Sequence, residues 1–394
     1  MRAPVWEVFR VFLRLGSTSF GGPIAHLGYF RTEFVERREW MTDREYADLV
    51  ALCQLLPGPA SSQVGFGIGL LRAGYRGALA AFVAFTLPSA LLMLAFAYGA
   101  ALFVGPVGEG LLSGLKIVAV AVVAQAVWGM ARTLTPDPTR AAIAAVAVLT
   151  VILLAGTLGQ VAAIALGVAA GILFCRRAVS TEPEMLRFPV RRVFAGVCLG
   201  LFALLLVGMP ALAALTGSGS LSLFDAFFRA GALVFGGGHV VLPLLHAGLV
   251  DTGWVTDAQF LAGYGAAQAM PGPLFTFASY LGAIAGVGPG GALGAVIALV
   301  AIFLPGFLLL VGVLPFWNSF RRRAWAQAAM RGANAAVVGI LAAALYSPVF
   351  TTAVTGPGPF ALAVVCFVLL MSWKLPPWAV VLVGAVGGVV LELV

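Results

Sequence analysis

The chain has 394 residues, 61% of them hydrophobic and only 10% charged, and its mean hydropathy is +1.05. No water-soluble core of this length needs so much apolar surface. The net charge of +8 would suggest nucleic acid in a soluble protein; here the arginine bias of cytoplasmic loops is the simpler cause.

In chain order, the first segment, "FRVFLRLGSTSFGGP" (Phe9 to Pro23), is apolar but carries Arg14 and breaks at Phe20-Gly21-Gly22. Glu7, Arg10 and Arg14, with no A-x-A site after them, argue against a cleavable leader. After the basic loop "RTEFVERREWMTDRE", Thr42 and Glu45 fit a capping box that opens a helix. Run through to about Leu71, that helix would be roughly 45 Å long at about 1.5 Å per residue. The hydrocarbon layer is only about 30 Å thick. "QLLPGPASSQ" (Gln54 to Gln63) interrupts it, because residues before proline resist helix and Pro59 suits a new helix start. Two half-helices hinged at Pro57-Gly58-Pro59 answer the length problem; a tilted, proline-kinked full span is the alternative. Lys116 follows within "LLSGLKIVAVAVV", then the uncharged run Ala141 to Cys175, a basic linker from Arg176 to Arg192, and the uncharged Val193 to Leu215. Uncharged stretches of about 18 or more residues are membrane-span candidates.

The second half then repeats the first. "FDAFFRAGALVFGGG" (Phe224 to Gly238) matches the opening segment, pairing Arg14 with Arg229 and Gly21-Gly22 with Gly236-Gly237. "WMTD" (Trp40 to Asp43) matches "WVTD" (Trp254 to Asp257), with Thr256 and Gln259 as a second capping box. Gln54 and Pro57-Gly58-Pro59 match Gln268 and Pro271-Gly272-Pro273, Pro88 matches Pro305, and Lys116 matches Asn334. The expected fold is an all-α polytopic membrane protein. It has two inverted-topology repeats joined by one extra transmembrane helix, with broken or re-entrant helices at both pairs of motifs. The first repeat takes residues 1–175, the linker and connecting helix 176–221, and the second repeat 222–394.

Arginine sets the orientation. With a cytoplasmic N-terminus and an external C-terminus, Arg72, Arg76, Arg132, Arg140, the linker arginines Arg176, Arg177, Arg187, Arg191 and Arg192, Arg321 to Arg323, Arg331 and Lys374 all fall inside. Arg31, Arg37, Arg38 and Arg44 join them only if the first two segments enter and return. The tryptophans Trp40, Trp254, Trp317, Trp373 and Trp378 sit at segment ends, as an interfacial belt would. Gly282, Gly286, Gly290 and Gly294 have close-packing spacing, although Pro289 interrupts the run.

The breaks suit an anion. A new helix after Pro59 would present unpaired N–H groups near Ala60, Ser61 and Ser62, which favour negative charge. Pro23 would start another such helix. Arg14, Arg229 and Lys116 are cations in apolar runs, either functional or snorkelling to an interface. Gln54 and Gln268 either bind substrate or tie off carbonyls at the breaks. His26 and His239 could shuttle protons beside the first breaks; with His246 they show no metal spacing. The four cysteines (Cys53, Cys175, Cys198, Cys366) read as small hydrophobes. No cofactor and no catalytic residue is expected: HExxH, GxSxG and Walker loops are all missing.

The paired motifs "FGGP", "WMTD" and "Q-x-x-PGP" resemble the chromate ion transporter family in its long, two-domain form, over essentially the whole chain. That resemblance implies efflux of chromate, a tetrahedral oxyanion like sulfate, across the cytoplasmic (inner) membrane, and hence chromate resistance. Read from the residues alone, the missing nucleotide motif points to a secondary transporter such as an antiporter, driven by a proton, a counter-anion or the membrane potential, with the anion held between the repeats by helix N-termini and arginines. Further copies of the chain as partners stay open. The second half departs from the pattern, with Gly238 where the first has Pro23. The alternatives are an oxyanion channel, or a sulfate or other anion exchanger with no chromate role.

Overall fold

The computed structural model describes residues 4–99, 105–154, 156–176, 188–235, 238–317 and 323–393. Arg177, Arg187, Arg321 and Arg322, expected in cytoplasmic loops, lie outside them. Among the described residues every regular element is helical. The first half holds α1 (Val5–Thr18), α2 (Pro23–Arg31), α3 (Asp43–Leu55), α4 (Ala60–Gly99), α5 (Gly105–Leu134), α6 (Pro138–Leu153) and α7 (Gly156–Phe174). A connecting helix, α8 (Arg192–Thr216), follows. The second half holds α9 (Gly219–Leu233), α10 (Val241–Leu249), α11 (Asp257–Gln268), α12 (Phe277–Ile284), α13 (Gly291–Val313), α14 (Ala324–Ala344), α15 (Pro357–Met371) and α16 (Pro377–Leu393). Among the described residues six segments are long and apolar enough to cross a membrane: α4, α5, α7, α8, Gly291–Phe316 and Ala324–Ala353. The chain is an all-α polytopic membrane protein.

The helix ends follow the local chemistry. Both capping boxes form, at Thr42 with Glu45 and at Thr256 with Gln259. The Asp of each "W-x-T-D" then holds the preceding helix. Arg31 forks onto Asp43 with two bonds of 2.8 Å, and His246 Nε2 stands 2.7 Å from Asp257. Arg31 and His246 occupy matching places in the two halves, which gives His246 a structural partner rather than a metal. Trp40 is gripped between the Arg38 and Arg72 guanidinium groups, 5.5 and 4.9 Å from its ring. Trp317 is buried in the core around α1, α3 and α4. Trp40 is thus held by cation–π contacts and Trp317 by burial.

α3 stops at Leu55 and α4 starts at Ala60, with Leu56 extended, as a residue before proline should be. α4 is divided again at Ala73-Gly74, where the backbone leaves the helical region. The matching division in the second half falls between α12 and α13. Across it Gly282 meets Gly294: a Cβ on Gly282 would lie 2.3 Å from the Gly294 oxygen. Gly286 and Gly290 fall with Pro289 in the intervening loop, α12 having already ended at Ile284.

Glycines at matching places set the packing. Gly16 lets α1 touch α4, a Cβ there falling 2.5 Å from the Phe85 oxygen, and Gly231 lets α9 touch α13 at Ile302. The last hairpins are exchanged between halves. Gly110 and Gly114 of α5 meet Gly388 and Gly384 of α16, whereas Gly332 of α14 meets Gly167 and Gly171 of α7.

A Cβ on Gly332 would sit 1.9 Å from the Gly167 oxygen, while one on Gly196 of α8 would meet nothing within 4 Å. Gly332→Ala is expected to cost at least about 1–3 kcal/mol by overpacking and to lower the thermal midpoint in detergent. Gly196→Ala is expected to leave it unchanged; equal effects would refute this account of the exchanged hairpins.

Candidate functional site

Two hydrogen bonds tie the four breaks together. Gly58, in the first Pro-Gly-Pro, donates its N–H to the Val234 oxygen at 2.8 Å, and Gly272, in the second, donates to the Ser19 oxygen at 2.8 Å. Ser19 precedes Phe20-Gly21-Gly22 and Val234 precedes Phe235, so each Pro-Gly-Pro seals the glycine break of the other half. Gly58 and Gly272 have φ of +119° and +93°, which glycine adopts without strain. A side chain on Gly58 would also strike the Gly306 Cα at 2.9 Å.

Around this junction the first half supplies polar groups. α2 starts at Pro23 with Gly22 as N-cap, preceded by Gly21 at φ +104°. One turn on, His26 Nδ1 lies 3.4 Å from Ser61 Oγ in the first turn of α4. The N–H groups of Ala60, Ser61 and Ser62 come before any intrahelical acceptor, since the Pro59 oxygen takes its bond from Gln63. Ser19 Oγ, His26 Nε2 and Ser62 Oγ are all buried with no partner within the protein. From the second half, His239 brings Nε2 to 3.7 Å from where a Gly22 side chain would begin; its Nδ1 is 2.6 Å from the Tyr264 hydroxyl. Gly238 sits against Pro23, 3.1 Å from the Pro23 Cγ to a built Cβ, which accounts for glycine rather than proline there.

The second Pro-Gly-Pro is different. After Pro271 and Pro273 the matching residues are Phe275, Thr276 and Phe277, all buried, and Thr276 Oγ1 turns back onto the Pro273 oxygen at 2.8 Å. Its remaining unpartnered polar atom is Gln268 Nε2.

The sequence model described as "Chromate transporter" matches residues 6–175 and 221–389. The chain belongs to the chromate transporter family. A chromate transport protein of Cupriavidus metallidurans is 29% identical over 96% of this chain and 91% of its own length. A chromate transport protein of Pseudomonas aeruginosa is 28% identical over 86% of this chain and 79% of its own length. An uncharacterized transporter of Methanocaldococcus jannaschii is 26% identical over 86% of this chain and 82% of its own length. No solved structure matches the chain.

In this chromate transporter family member, several residues singled out from sequence take no part in the bonds that form the junction. Arg14 is on the exposed face of α1, opposite the Val8, Phe12 and Leu15 face that packs on α4. Gln54 is exposed on α3. Lys116 is half-buried on α5, next to Leu115, whose main chain abuts Gly265 of α11. Asn334 has an enclosed, unpartnered Oδ1 on α14. Arg229 is paired with Asp225 one turn earlier. Gly236 and Gly237 lie outside the described residues.

Gln63 went unnoticed in the sequence, although a lone glutamine in the run "ASSQVGFG" was a visible signal. Its Nε2 donates to the Pro57 oxygen at 3.0 Å and to the Gly306 oxygen at 2.9 Å, tying off the carbonyl that the break sets free. Gln63→Leu is expected to leave both acceptors unpaired and cost roughly 2–3 kcal/mol, read as a lowered thermal midpoint. A variant as stable as the natural protein would remove that role.

Proposed function

We propose that the chain is a secondary transporter that exports chromate, or a related tetrahedral oxyanion such as sulfate, across the cytoplasmic membrane. The carrying observation is that His26 Nδ1 stands 3.4 Å from Ser61 Oγ in the first turn of α4, while His26 Nε2, the neighbouring Ser62 Oγ, and Ser19 Oγ before the first glycine break are each buried without a partner. Hydroxyl, imidazole and main-chain N–H donors converge there on a helix N-terminus, where dipole and donors both favour an anion. The α2 N-terminus at Gly22 and Pro23, the hinge Pro57-Gly58-Pro59 and the opposing Gly272 frame the site. His26 and His239, bonded to Ser61 and Tyr264, are the groups able to carry a coupled proton. Arg14 is the cation that guides the anion inward along α1.

Two inverted repeats, 1–175 and 222–394, with 176–221 between them, account for the reciprocal bonds of Gly58 and Gly272. Substrate at the interface of such repeats is a recurrent transporter arrangement. The N-terminus is cytoplasmic on this reading. Arg38 and Arg72 lie against Trp40 and Arg31 is held by Asp43, whereas the loop of Asp251 and Trp254, bonded to Gly286, carries acid instead. A dianion leaving a cell of negative interior gains about 2.3 kcal/mol per charge per 100 mV, so export is electrically downhill.

Uptake of chromate and of sulfate into inverted membrane vesicles tests this. The natural protein is expected to accumulate chromate, and Ser61→Ala with Ser62→Ala to lose about tenfold or more in kcat/KM, as expected for lost charge-assisted hydrogen bonds. Arg14→Gln is expected to raise KM at low salt. Sulfate uptake without chromate would keep the site and remove the substrate. Full activity in the folded serine variant would move the anion elsewhere.

A further inference from the structure

The two halves carry different charges at matching places on α1 and α9. Arg10 and Arg14, one turn apart on α1, are both exposed, with no ion-pair partner among the described residues. Their counterparts on α9 are Asp225 and Arg229, and these are ion-paired through Asp225 Oδ2. A duplicated cationic face has become, in the second half, an arginine with its own carboxylate.

That pair lines a cavity of about 350 Å³ between α8, α9 and α10. At about 30 Å³ per water, the space holds a tetrahedral oxyanion with part of its hydration shell. It runs from Thr252 and Trp254, in the loop after α10, to Leu233. The next residue, Val234, is the acceptor of the Gly58 N–H at the central junction. The cavity thus leads from one loop layer to within one residue of the breaks. Asp225 is only 4% exposed, and its Oδ1 has no partner within the protein. The Arg229 side chain is 41% exposed, so its guanidinium can meet a solute.

We infer that this cavity is a second oxyanion site, built on Arg229, in which Asp225 is an internal competitor that yields the guanidinium when it is protonated. The inference rests on the oxyanion-transport reading. A carboxylate and an oxyanion want the same planar fork of donors, and two anions side by side in an apolar cavity repel. Protonation removes the repulsion and frees the fork together. By linkage, a proton on Asp225 tightens the anion and the anion tightens the proton. Among the described residues no other charged group lines the cavity with the pair. α13 has no titratable residue, and α8 bears only Arg192 and Cys198, near its start. Thr157 is the cavity's residue from α7. On α10, His246 is held by Asp251 and Asp257 and does not line the cavity.

The test is chromate binding to the purified full chain in detergent, titrated from about pH 4, close to the ordinary Asp value, up to about pH 8. Chromate's own protonation is common to every variant and cancels in the comparison. Asp225→Asn is expected to bind chromate about tenfold or more tighter than the natural protein at the alkaline end, and to flatten the pH profile. Adding Arg229→Gln is expected to abolish that gain. Should Asp225→Asn fail to fold, Arg229→Lys keeps the charge and loses the fork, and is expected to shrink the gain that the natural protein shows on acidification. An Asp225→Asn variant that binds no tighter, a gain that survives Arg229→Gln, or an acid gain undiminished in Arg229→Lys would overturn the inference. If no protein binds chromate or sulfate at any pH, the transport reading falls with it.

Discussion

Inside a bilayer a main-chain N–H or C=O has no water to turn to, and each one left unpaired costs several kcal/mol. A chain that interrupts its helices at membrane depth must therefore find partners for the freed groups within itself. Here the partners come from the opposite half: Gly58 reaches Val234, and Gly272 reaches Ser19. Gln63 adds a further closure by capping the Pro57 oxygen, and the N–H groups that open α4 stay free. The glycines with positive φ, the close contact of Gly58 with Gly306, and the fit of Gly238 against Pro23 are all conditions for that mutual closure.

Much of this architecture was legible in the residues themselves. Thr42 and Thr256 announced helix starts by a local pattern, and capping boxes depend on little beyond three residues of chain. The interruptions at Pro57 and Pro271 were equally local, because proline acts on its immediate predecessor. The direction of side chains was not legible. Arg14 looked like a buried cation because its neighbours are apolar, yet α4 takes the Val8 and Phe12 face and leaves Arg14 outside. Gln54 and Gln268 looked equivalent, but the first is exposed and the second buried. Periodicity defines a helix's faces; only the neighbours decide which face is covered. Asp225 stood one turn before Arg229 in "FDAFFR", an acid–base spacing that pairs on any helix, and that signal was available.

The duplication has not preserved equivalence at the centre. Ser61, Ser62 and Gln63 are answered by Phe275, Thr276 and Phe277, so one Pro-Gly-Pro opens a polar helix start and the other an apolar one. The second half contributes instead from a distance, through His239 beside Gly22. The symmetric frame of main-chain bonds carries an asymmetric lining. That combination suits a carrier in which one half holds the solute and the other shapes the space around it.

The exchange of the terminal hairpins reaches further than packing. Because α5 lies on α16 and α14 lies on α7, neither half closes its own core. The connecting helix α8, by contrast, is mostly turned outward, with only 17% of its apolar window covered. Adhesion between the halves thus resides in the interlocked helices, and on the inverted-repeat reading proposed above α8 contributes an odd number of crossings. It is a spacer of parity, leaving the halves to recognise each other by surfaces that would exist even if they had been made as two separate chains.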